Sequence, residues 1–372
     1  MDLRAHPGDP WAPTLVGDPG RQRAAEGVRD LLAGLAPPER VRERMEGDDP
    51  YDPDLWRALV TLGPVTSGPV GARAGVFEEL GRSLAPTPLL GTTMAAAAVA
   101  AAGGPAAAEL VAALEAGTPG ALAVVERSLG VDPHHPATTA RPAGSGRWVV
   151  SGFKRAVIDA PAADVVVVLA ATGSGPRLLA VDGPARAPGL TWRPLPALDL
   201  TRRLADLELV EVVARPVGPE DAGAEAATAA LDLAATVLAA EQVGGAQRCL
   251  DLTLDHARHR HQFGRPIGSF QAVQHRCAEL FVTIELARST ALAAAWAADH
   301  DPADLAIAGP TARVVCSAAY LEAAATCLQV HGARAMTWDH EAHLHLKRAK
   351  SSSLVLGDEH HWRGLLADRL GL

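Results

Sequence analysis

With 372 residues, the chain is long enough for two or three domains and too long for one small core. A content of 48% hydrophobic and 21% charged residues lies in the ordinary globular range, which argues against wholesale disorder and against membrane residence. The net charge of −9, without any block of Lys or Arg, argues against nucleic acid or an anionic membrane as a partner.

Short helices are predicted along the first third of the chain. Val28, Leu32 and Leu35 recur at helical spacing on one face. Further helices are predicted at 54–62, 76–84 and 93–102, the last because alanine is the best helix former. Residues 1–118 are therefore predicted to form an N-terminal helical domain.

The pattern changes to β from about Gly120. Short runs rich in valine are separated by Gly, Pro and Ser turns, which is typical of strands. These runs lie at 121–125, 148–150, 165–169 and 178–181. A compact middle β domain is predicted for residues 119–220.

Helical spacing returns after about Glu220 and continues to the end. Apolar residues recur at steps of three and four, as in Val273, Cys277, Leu280 and Ile284. Residues 221–372 are predicted to form a C-terminal helical bundle, so the fold class is α+β multidomain, in the order α, β, α.

Two features bear on location. The four cysteines are isolated and lack any C-x-x-C spacing, so we expect buried free thiols at Cys249, Cys277, Cys316 and Cys327. The segment from Met1 to Trp11 lacks the apolar core of a signal peptide, and no run has the hydrophobicity expected to span a bilayer. A cytoplasmic location is expected.

The most specific string runs from Arg260 to Gln271. Arg260 can offer a permanently charged fork of donors to a pyrophosphate, and Phe263 an apolar face to a ring. In the alternative interpretation, Arg260 only neutralises a helix C-terminus, and Gly264 with Pro266 only ends the helix. The string resembles the R-x-x-F-G and F-Q segments of the acyl-CoA dehydrogenase family.

A second string, Gln329-Val330-His331-Gly332-Ala333, resembles the Q-x-x-G-G segment of the same family, with Ala333 where the second glycine is usual. The resemblance implies a helical domain, a β domain and a C-terminal four-helix bundle. It also implies that one subunit contacts FAD held mainly by its neighbour. The residues carried over for that contact are Arg260, Phe263, Gln271, Gln329, Val330 and Gly332.

The other half of the family's flavin site is degraded. The family carries a T-E-P-x-x-G-S-D-like loop, where this chain has residues 126–132 without the G-S-D turn. It also carries a G-x-K-x-W-I-T-like strand, where Ala156 replaces the tryptophan and Ile158 the hydroxyl residue. The flavin ring loses an aromatic wall and a hydrogen-bond partner, so binding of FAD by this chain alone is not expected.

Both family positions for the catalytic glutamate lack a carboxylate. Counting in register from the two strings places these positions at Ala234 and Leu356. Asp232, Asp358 and Glu359 lie close by, but displacement by one or two residues turns a helical side chain to another face. Glu241 is interpreted as structural. No catalytic residue is therefore assigned.

The sequence contains two groups of histidines, His256, His259, His261 and His275, and His340, His343 and His345. Spacing by three could ligate a metal, but the H-E-x-x-H pattern is missing, so packed or solvated histidines are expected.

We therefore expect a non-catalytic subunit that donates FAD contacts to a catalytic acyl-CoA dehydrogenase subunit in a heteromer, such as a heterotetramer. Residues 198–203 resemble a loop of actinobacterial members of the steroid-degrading kind. Two alternatives remain open at this stage. One is an active homo-oligomer that uses an acid such as Asp339, Asp358 or Glu359, and the other is a flavin-free binding or scaffold protein of the same fold.

Overall fold

The computed structural model describes residues 19–63, 68–126 and 130–372. Its first six helices are α1 Pro19–Leu35, α2 Pro38–Glu46, α3 Pro53–Thr61, α4 Val70–Ser83, α5 Leu89–Ala102 and α6 Pro105–Glu115. The sequence analysis missed α2 and α6. In α2 only Val41 and Met45 are buried, which is too few apolar positions to reveal a period.

A seven-stranded sheet follows, with β1 Gly120–Ala123, β2 Thr139–Gly144, β3 Arg147–Ile158, β4 Val165–Thr172, β5 Gly175–Asp182, β6 Leu190–Pro194 and β7 Leu204–Val217. The strand order is β1-β4-β2-β3-β7-β5, with β6 paired to β7. Because β5 pairs with both β4 and β7, the sheet closes on itself. The valines of β4 face two cores in alternation, Val165 and Val167 toward the helices and Val166 and Val168 toward the inside of the sheet.

The chain after the sheet is helical. It contains α7 Gly223–His259, a hairpin of β8 His261–Gln262 and β9 Arg265–Pro266, then α8 Gln271–His300, α9 Pro302–His331, α10 Ala342–Leu354 and α11 Glu359–Arg369. Helices α7 to α10 pack side by side, and α11 adds a fifth helix against α9. The predicted domain boundaries after residues 118 and 220 stay predictions.

Two glycines hold α4 against α7. A Cβ on Gly81 would lie 1.9 Å from the carbonyl oxygen of Glu241, and a Cβ on Gly244 would lie 1.8 Å from that of Glu78. Only glycine permits such an approach of two backbones. This crossing fixes α7, which leads to the candidate site, relative to the N-terminal helices.

Helices α7 and α8 are long and apolar enough to cross a bilayer by length and composition, although no such run was expected from the sequence. In the most apolar 18-residue stretch of α7, 78% is buried within the protein. In that of α8 the buried share is 39%. A packed core helix passes the same test, because the alanine and leucine that pack against protein also suit lipid.

Candidate functional site

Arg260 lies at the point where α7 ends and a tight hairpin begins. Its backbone N–H donates to the carbonyl oxygen of His256 at 2.8 Å, and its own carbonyl accepts from the N–H of Ile267 at 2.8 Å. Phe263 and Gly264 form the turn with φ of 52° and 79°, the signs of a type I′ turn. The turn leaves the Phe263 side chain 92% exposed.

An aromatic and cationic group supports this hairpin from the start of α8. The rings of Phe263 and Phe270 meet edge to face with centroids 6.1 Å apart. The guanidinium carbon of Arg265 lies 4.2 Å from the centroid of the Phe270 ring. Gln271 is the first residue of α8 and directly follows Phe270 in the sequence. Its side chain is exposed.

The second string lies at the C-terminus of α9. Gln329 and Gly332 are exposed and Val330 is half-buried. Gly332 ends the helix with φ of 64° and ψ of −143°, a conformation that favours glycine, and a 3-10 turn, Gly332–Met336, follows. Ala333 is exposed in this turn, so its methyl group meets no packing obstacle.

The structure brings the two strings together through stacked histidines. The rings of His256, at the end of α7, and His331, at the end of α9, stack with centroids 4.2 Å apart. His340 meets the edge of His331 at 4.6 Å. All six sequence-predicted residues are exposed or half-buried, so this region faces outward.

The pKa values of the two stacked imidazoles are shifted in opposite directions. Burial, with the nearby positive side chains of His331, Arg334 and Arg260, lowers the pKa of His256 to about 4. For His331 burial favours the neutral ring, but hydrogen bonds to Cys327 outweigh it and raise the pKa. His331 Nδ1 lies 2.8 Å from the carbonyl oxygen of Cys327, so this contact fixes the orientation of the ring. The four cysteines are free and buried, as expected.

Two histidines of the second group, His343 and His345, are buried and packed, whereas His259, His261 and His275 are exposed. His345 Nδ1 lies 2.8 Å from the hydroxyl of Tyr320 in the interior, and His343 stacks on Trp338. Within the part of the chain that the structure describes, no group of three His, Cys, Asp or Glu side chains is arranged to hold a metal ion.

The residues at the other half of the family's flavin site are packed or paired. Lys154 is fully buried and its Nζ lies 2.6 Å from Glu126, and burial lowers its pKa to about 8. Ala156 sits in a β-bulge with φ of 46°, and Ile158 is buried in the main core. A methyl group and an apolar side chain offer a flavin ring neither a wall nor a donor. Residues 127–129 of the corresponding loop lie outside the described residues.

The two positions of the family's base are apolar and buried. Ala234 is fully buried within α7. Leu356 is 5% exposed, with φ of 62°, and lines a cavity of about 540 Å³ that also contacts Leu231 and Asp232. Neither position can remove a proton, because neither carries a basic group.

The carboxylates near those positions have other contacts. Asp232 accepts from Arg369 at 2.8 Å, although burial raises its pKa. Asp358 caps α11 by accepting from the N–H of His361 at 3.0 Å. Two further carboxylates considered from the sequence, Glu359 and Asp339, are exposed, and Glu359 pairs with Arg363.

Two features of this region escaped the sequence analysis. Glu241 accepts hydrogen bonds from the buried guanidinium group of Arg202. This ion pair joins two segments that the sequence analysis treated separately. Arg334 lies in the turn after Gly332, beside the histidine stack. Its signal in the sequence is a single charged residue inside a turn otherwise built from Gly, Ala and Met.

Comparisons with known proteins identify the family to which the chain belongs. Residues 221–371 match the family model described as "Acyl-CoA dehydrogenase, C-terminal domain". The chain is 38% identical to acyl-CoA dehydrogenase IpdE2 of Mycobacterium tuberculosis over 347 residues, which are 90% of this chain and 92% of that protein.

Two solved structures are similar over nearly the whole chain. A variant of the Tcur3481-Tcur3483 steroid ACAD is 30% identical with a TM-score of 0.85, covering 94% of this chain and 97% of that one. The ChsE4-ChsE5 complex from Mycobacterium tuberculosis is 28% identical with a TM-score of 0.85, covering 96% and 98%. This chain therefore belongs to the acyl-CoA dehydrogenase family, flavoprotein oxidoreductases that act on acyl-CoA thioesters.

Proposed function

We propose that this chain is the non-catalytic subunit of a heteromeric, FAD-dependent acyl-CoA dehydrogenase and lends part of its surface to the flavin of a catalytic partner. The observation that carries the proposal is a contrast between a residue carried over for the flavin contact and the two positions of the family's catalytic base. Phe263 is 92% exposed in a left-handed turn, whereas Ala234 and Leu356 are apolar and buried. A large exposed aromatic in an unfavourable backbone conformation is costly unless something outside the chain uses it.

Each of the six residues carried over from the family has a definite role in this proposal. Arg260 gives a charge-assisted hydrogen bond to the pyrophosphate, and Phe263 covers an apolar part of the cofactor. Gln271 and Gln329 supply amide donors and acceptors. Val330 and Gly332 let the backbone approach closely, since Gly332 has no Cβ. The bound FAD supplies the hydride acceptor for α,β-dehydrogenation of the thioester.

The partner is proposed to cover α8. Ala278, Val282 and Leu286 recur every four residues along one exposed line of this helix, and Phe281 adjoins them. The large side chains of this face are 54% exposed at Phe281, 56% at Val282 and 62% at Leu286. Since α8 begins at Gln271, one short 3-10 turn after the hairpin ends at Pro266, one partner can bury this exposed face of α8 and hold the flavin against the hairpin.

The occupant proposed for this face is a catalytic acyl-CoA dehydrogenase chain that has kept its glutamate and its own half of the flavin site. Similarity to the ChsE4-ChsE5 complex and to the Tcur3481-Tcur3483 protein supports a heteromer. A heterotetramer of two such pairs is proposed. The similar Tcur3481-Tcur3483 protein is a steroid ACAD, and this similarity, together with residues 198–203, supports a steroid-derived acyl-CoA as substrate class.

Co-expression tests the proposal. This chain is purified alone and together with the acyl-CoA dehydrogenase chains encoded near it, and flavin absorbance and dehydrogenation of acyl-CoA are measured for each preparation. We expect a colourless, inactive single chain and a yellow, active complex with one FAD per pair of chains. A yellow, active single chain would establish the homo-oligomer with a displaced base, and a colourless complex would establish a flavin-free binding protein.

A further inference from the structure

The cavity of about 540 Å³ beside Leu356 lies between the first part of α7, the helix α11 and residues 131–134 of the loop after β1. Its floor is apolar, because Leu231, Leu356 and Trp362 are buried there and Leu365 packs against the same core. Small-molecule sites in proteins typically enclose about 300 to 1,000 Å³ and have mostly apolar walls. The cavity therefore has the size and the floor of a ligand site.

Contacts at both ends of α11 hold the cavity open. At the start of the helix, Nε1 of Trp362 donates to the carbonyl oxygen of Gly357 at 3.2 Å, and the ring of His361 takes up the space that a Cβ on Gly357 would need. At the end of the helix, Arg369 donates to Asp232 on α7 at 2.8 Å and to a backbone carbonyl oxygen of α9 at 2.7 Å. Because both ends are fixed, α11 cannot move inward without breaking these contacts.

One polar pair, Asp232 and Arg369, lies in the wall of the cavity. Nη1 of Arg369 donates to one of the two carboxylate oxygens of Asp232. Among the described residues, neither the other oxygen of Asp232 nor Nε and Nη2 of Arg369 makes a hydrogen bond. An acceptor and donors are therefore available side by side for one polar group of a ligand. Since the pair as a whole is neutral, it requires no charge on that group.

The mouth of the cavity is acidic. Asp132 and Asp368 are exposed there, whereas the one arginine of the described lining, Arg369, is already paired with Asp232. Burial lowers the pKa of His361, so its ring adds no positive charge at neutral pH. Three carboxylates against one guanidinium repel an anion. A molecule with a phosphate or carboxylate group, such as a CoA thioester, is therefore disfavoured.

We propose that this cavity is a binding site for an uncharged, largely apolar molecule that carries one hydrogen-bonding group. The apolar part of the ligand lies on Leu356 and Trp362, and its polar group lies beside Asp232 and Arg369. Because Leu356 carries no basic group, the ligand is bound and not deprotonated. The inference goes beyond the proposed function and does not depend on it, since the cavity shares no lining residue with the surface carried over for the flavin contact.

Two fluorescent probes that differ by one sulfonate group test the chemistry of the site: uncharged N-phenyl-1-naphthylamine and anionic 1-anilinonaphthalene-8-sulfonate. Binding to the full chain is titrated at low salt and pH 8, above the ordinary range of histidine titration. We expect saturable binding of the uncharged probe and binding of the anion that is roughly tenfold or more weaker. Asp368→Asn removes a carboxylate at the mouth, so it should strengthen binding of the anion and leave that of the uncharged probe unchanged. Equal affinity of the wild type for both probes would contradict the proposed ligand class.

Gly364 tests whether the probe binds in this cavity. It lines the cavity from α11, and no atom of the described residues lies within 4 Å of a Cβ built on it, apart from its neighbours in the helix. Gly364→Phe should therefore fill the space without a clash and weaken binding of the uncharged probe roughly tenfold or more. Gly34→Phe, at an exposed glycine of α1 with the same free space, is the matched control and should bind like the wild type.

Three results would overturn the inference. The first is no saturable binding of the uncharged probe by the wild type, and the second is unchanged binding by a Gly364→Phe chain that is folded by circular dichroism. The third is loss of the site when the chain assembles with its partner, because the cavity would then belong to the interface between the chains. Binding that survives assembly and is lost only in Gly364→Phe supports the site.

Discussion

Arg202 and Glu241 form a buried ion pair in which one guanidinium nitrogen of Arg202 donates to both carboxylate oxygens, at 2.7 and 2.8 Å. The pair joins the bend before β7 to the middle of α7. The guanidinium group of Arg348 lies 3.7 Å from the same carboxylate of Glu241. It also lies 3.5 Å from the carboxylate of Asp199. Glu241 therefore balances two buried arginines and has a structural role.

Removing this carboxylate should be costly. Glu241→Ala leaves Arg202 and Arg348 partly uncompensated in the interior, so the free energy of unfolding should fall by about 3 to 5 kcal/mol. Urea unfolding measures this change in the free energy of unfolding. Glu359→Ala, which breaks an exposed pair with Arg363, is the control and should cost less than about 1 kcal/mol. Lost turnover of the complex with unchanged stability would instead mark Glu241 as the catalytic base.

The interior histidine His345 predicts an acid-sensitive stability. Burial and nearby arginines lower its pKa from 6.5 to about 3, so it stays neutral in the folded chain while the unfolded chain binds a proton below pH 6.5. Its contribution to stability is therefore present above pH 6.5 and is lost as the pH falls toward 3, by about 1.4 kcal/mol per pH unit.

His345→Asn removes this titration and keeps a hydrogen-bonding side chain beside the hydroxyl of Tyr320. Urea unfolding between pH 4 and pH 7 should show a shallower decline for the variant than for the wild type. Parallel curves would show that His345 does not set the acid sensitivity.

Replacing Phe263 in its turn should stabilise the single chain and weaken FAD binding by the complex. Asparagine adopts the left-handed conformation more readily than phenylalanine, so Phe263→Asn should stabilise the single chain by up to about 1 kcal/mol. The same change removes the apolar face offered to the cofactor and should weaken FAD binding by the complex. Val210→Thr, at a side chain 59% exposed in β7, is the control. Unchanged FAD affinity in Phe263→Asn would contradict the role assigned to the ring.

The exposed apolar face of α8 should determine whether this chain assembles with its partner. Leu286→Glu places a charge where the partner is proposed to pack, so co-purification of the two chains should be lost while the single chain stays folded by circular dichroism. Leu198→Glu, at a side chain 65% exposed outside α8, should leave assembly intact. Normal co-purification of Leu286→Glu would place the interface elsewhere.

The order of helices, sheet and helices was predictable, because hydrophobic spacing in α4, β4 and α8 is local information. The sequence analysis missed β7, although it is the longest strand among the described residues. Its burial alternates over Ala205, Leu207 and Leu209 and again over Val212 and Ala214, but exposed Val210 and Val213 interrupt the polar face.

The approach of the two strings was not predictable from spacing. Arg260 and Gln329 lie 69 residues apart, and the stacking of His256 on His331 depends on how α7 packs against α9. The partner of Glu241 is likewise set by tertiary packing, since Arg202 lies 39 residues away. The roles assigned to Arg260, Phe263, Gln271, Gln329, Val330 and Gly332 stay predictions.

Flavin content of the purified complex after Arg260→Ala tests the central claim most directly. The wild type, Arg260→Ala and the neighbouring control Arg258→Ala are each co-purified with the catalytic chain, and FAD per complex is read from absorbance after gel filtration at sub-stoichiometric FAD. Loss of a charge-assisted contact costs about 1.5 to 3 kcal/mol, or roughly tenfold or more in affinity. We predict that Arg260→Ala loses most of its flavin while Arg258→Ala keeps it. Full flavin in an intact Arg260→Ala complex would contradict the account.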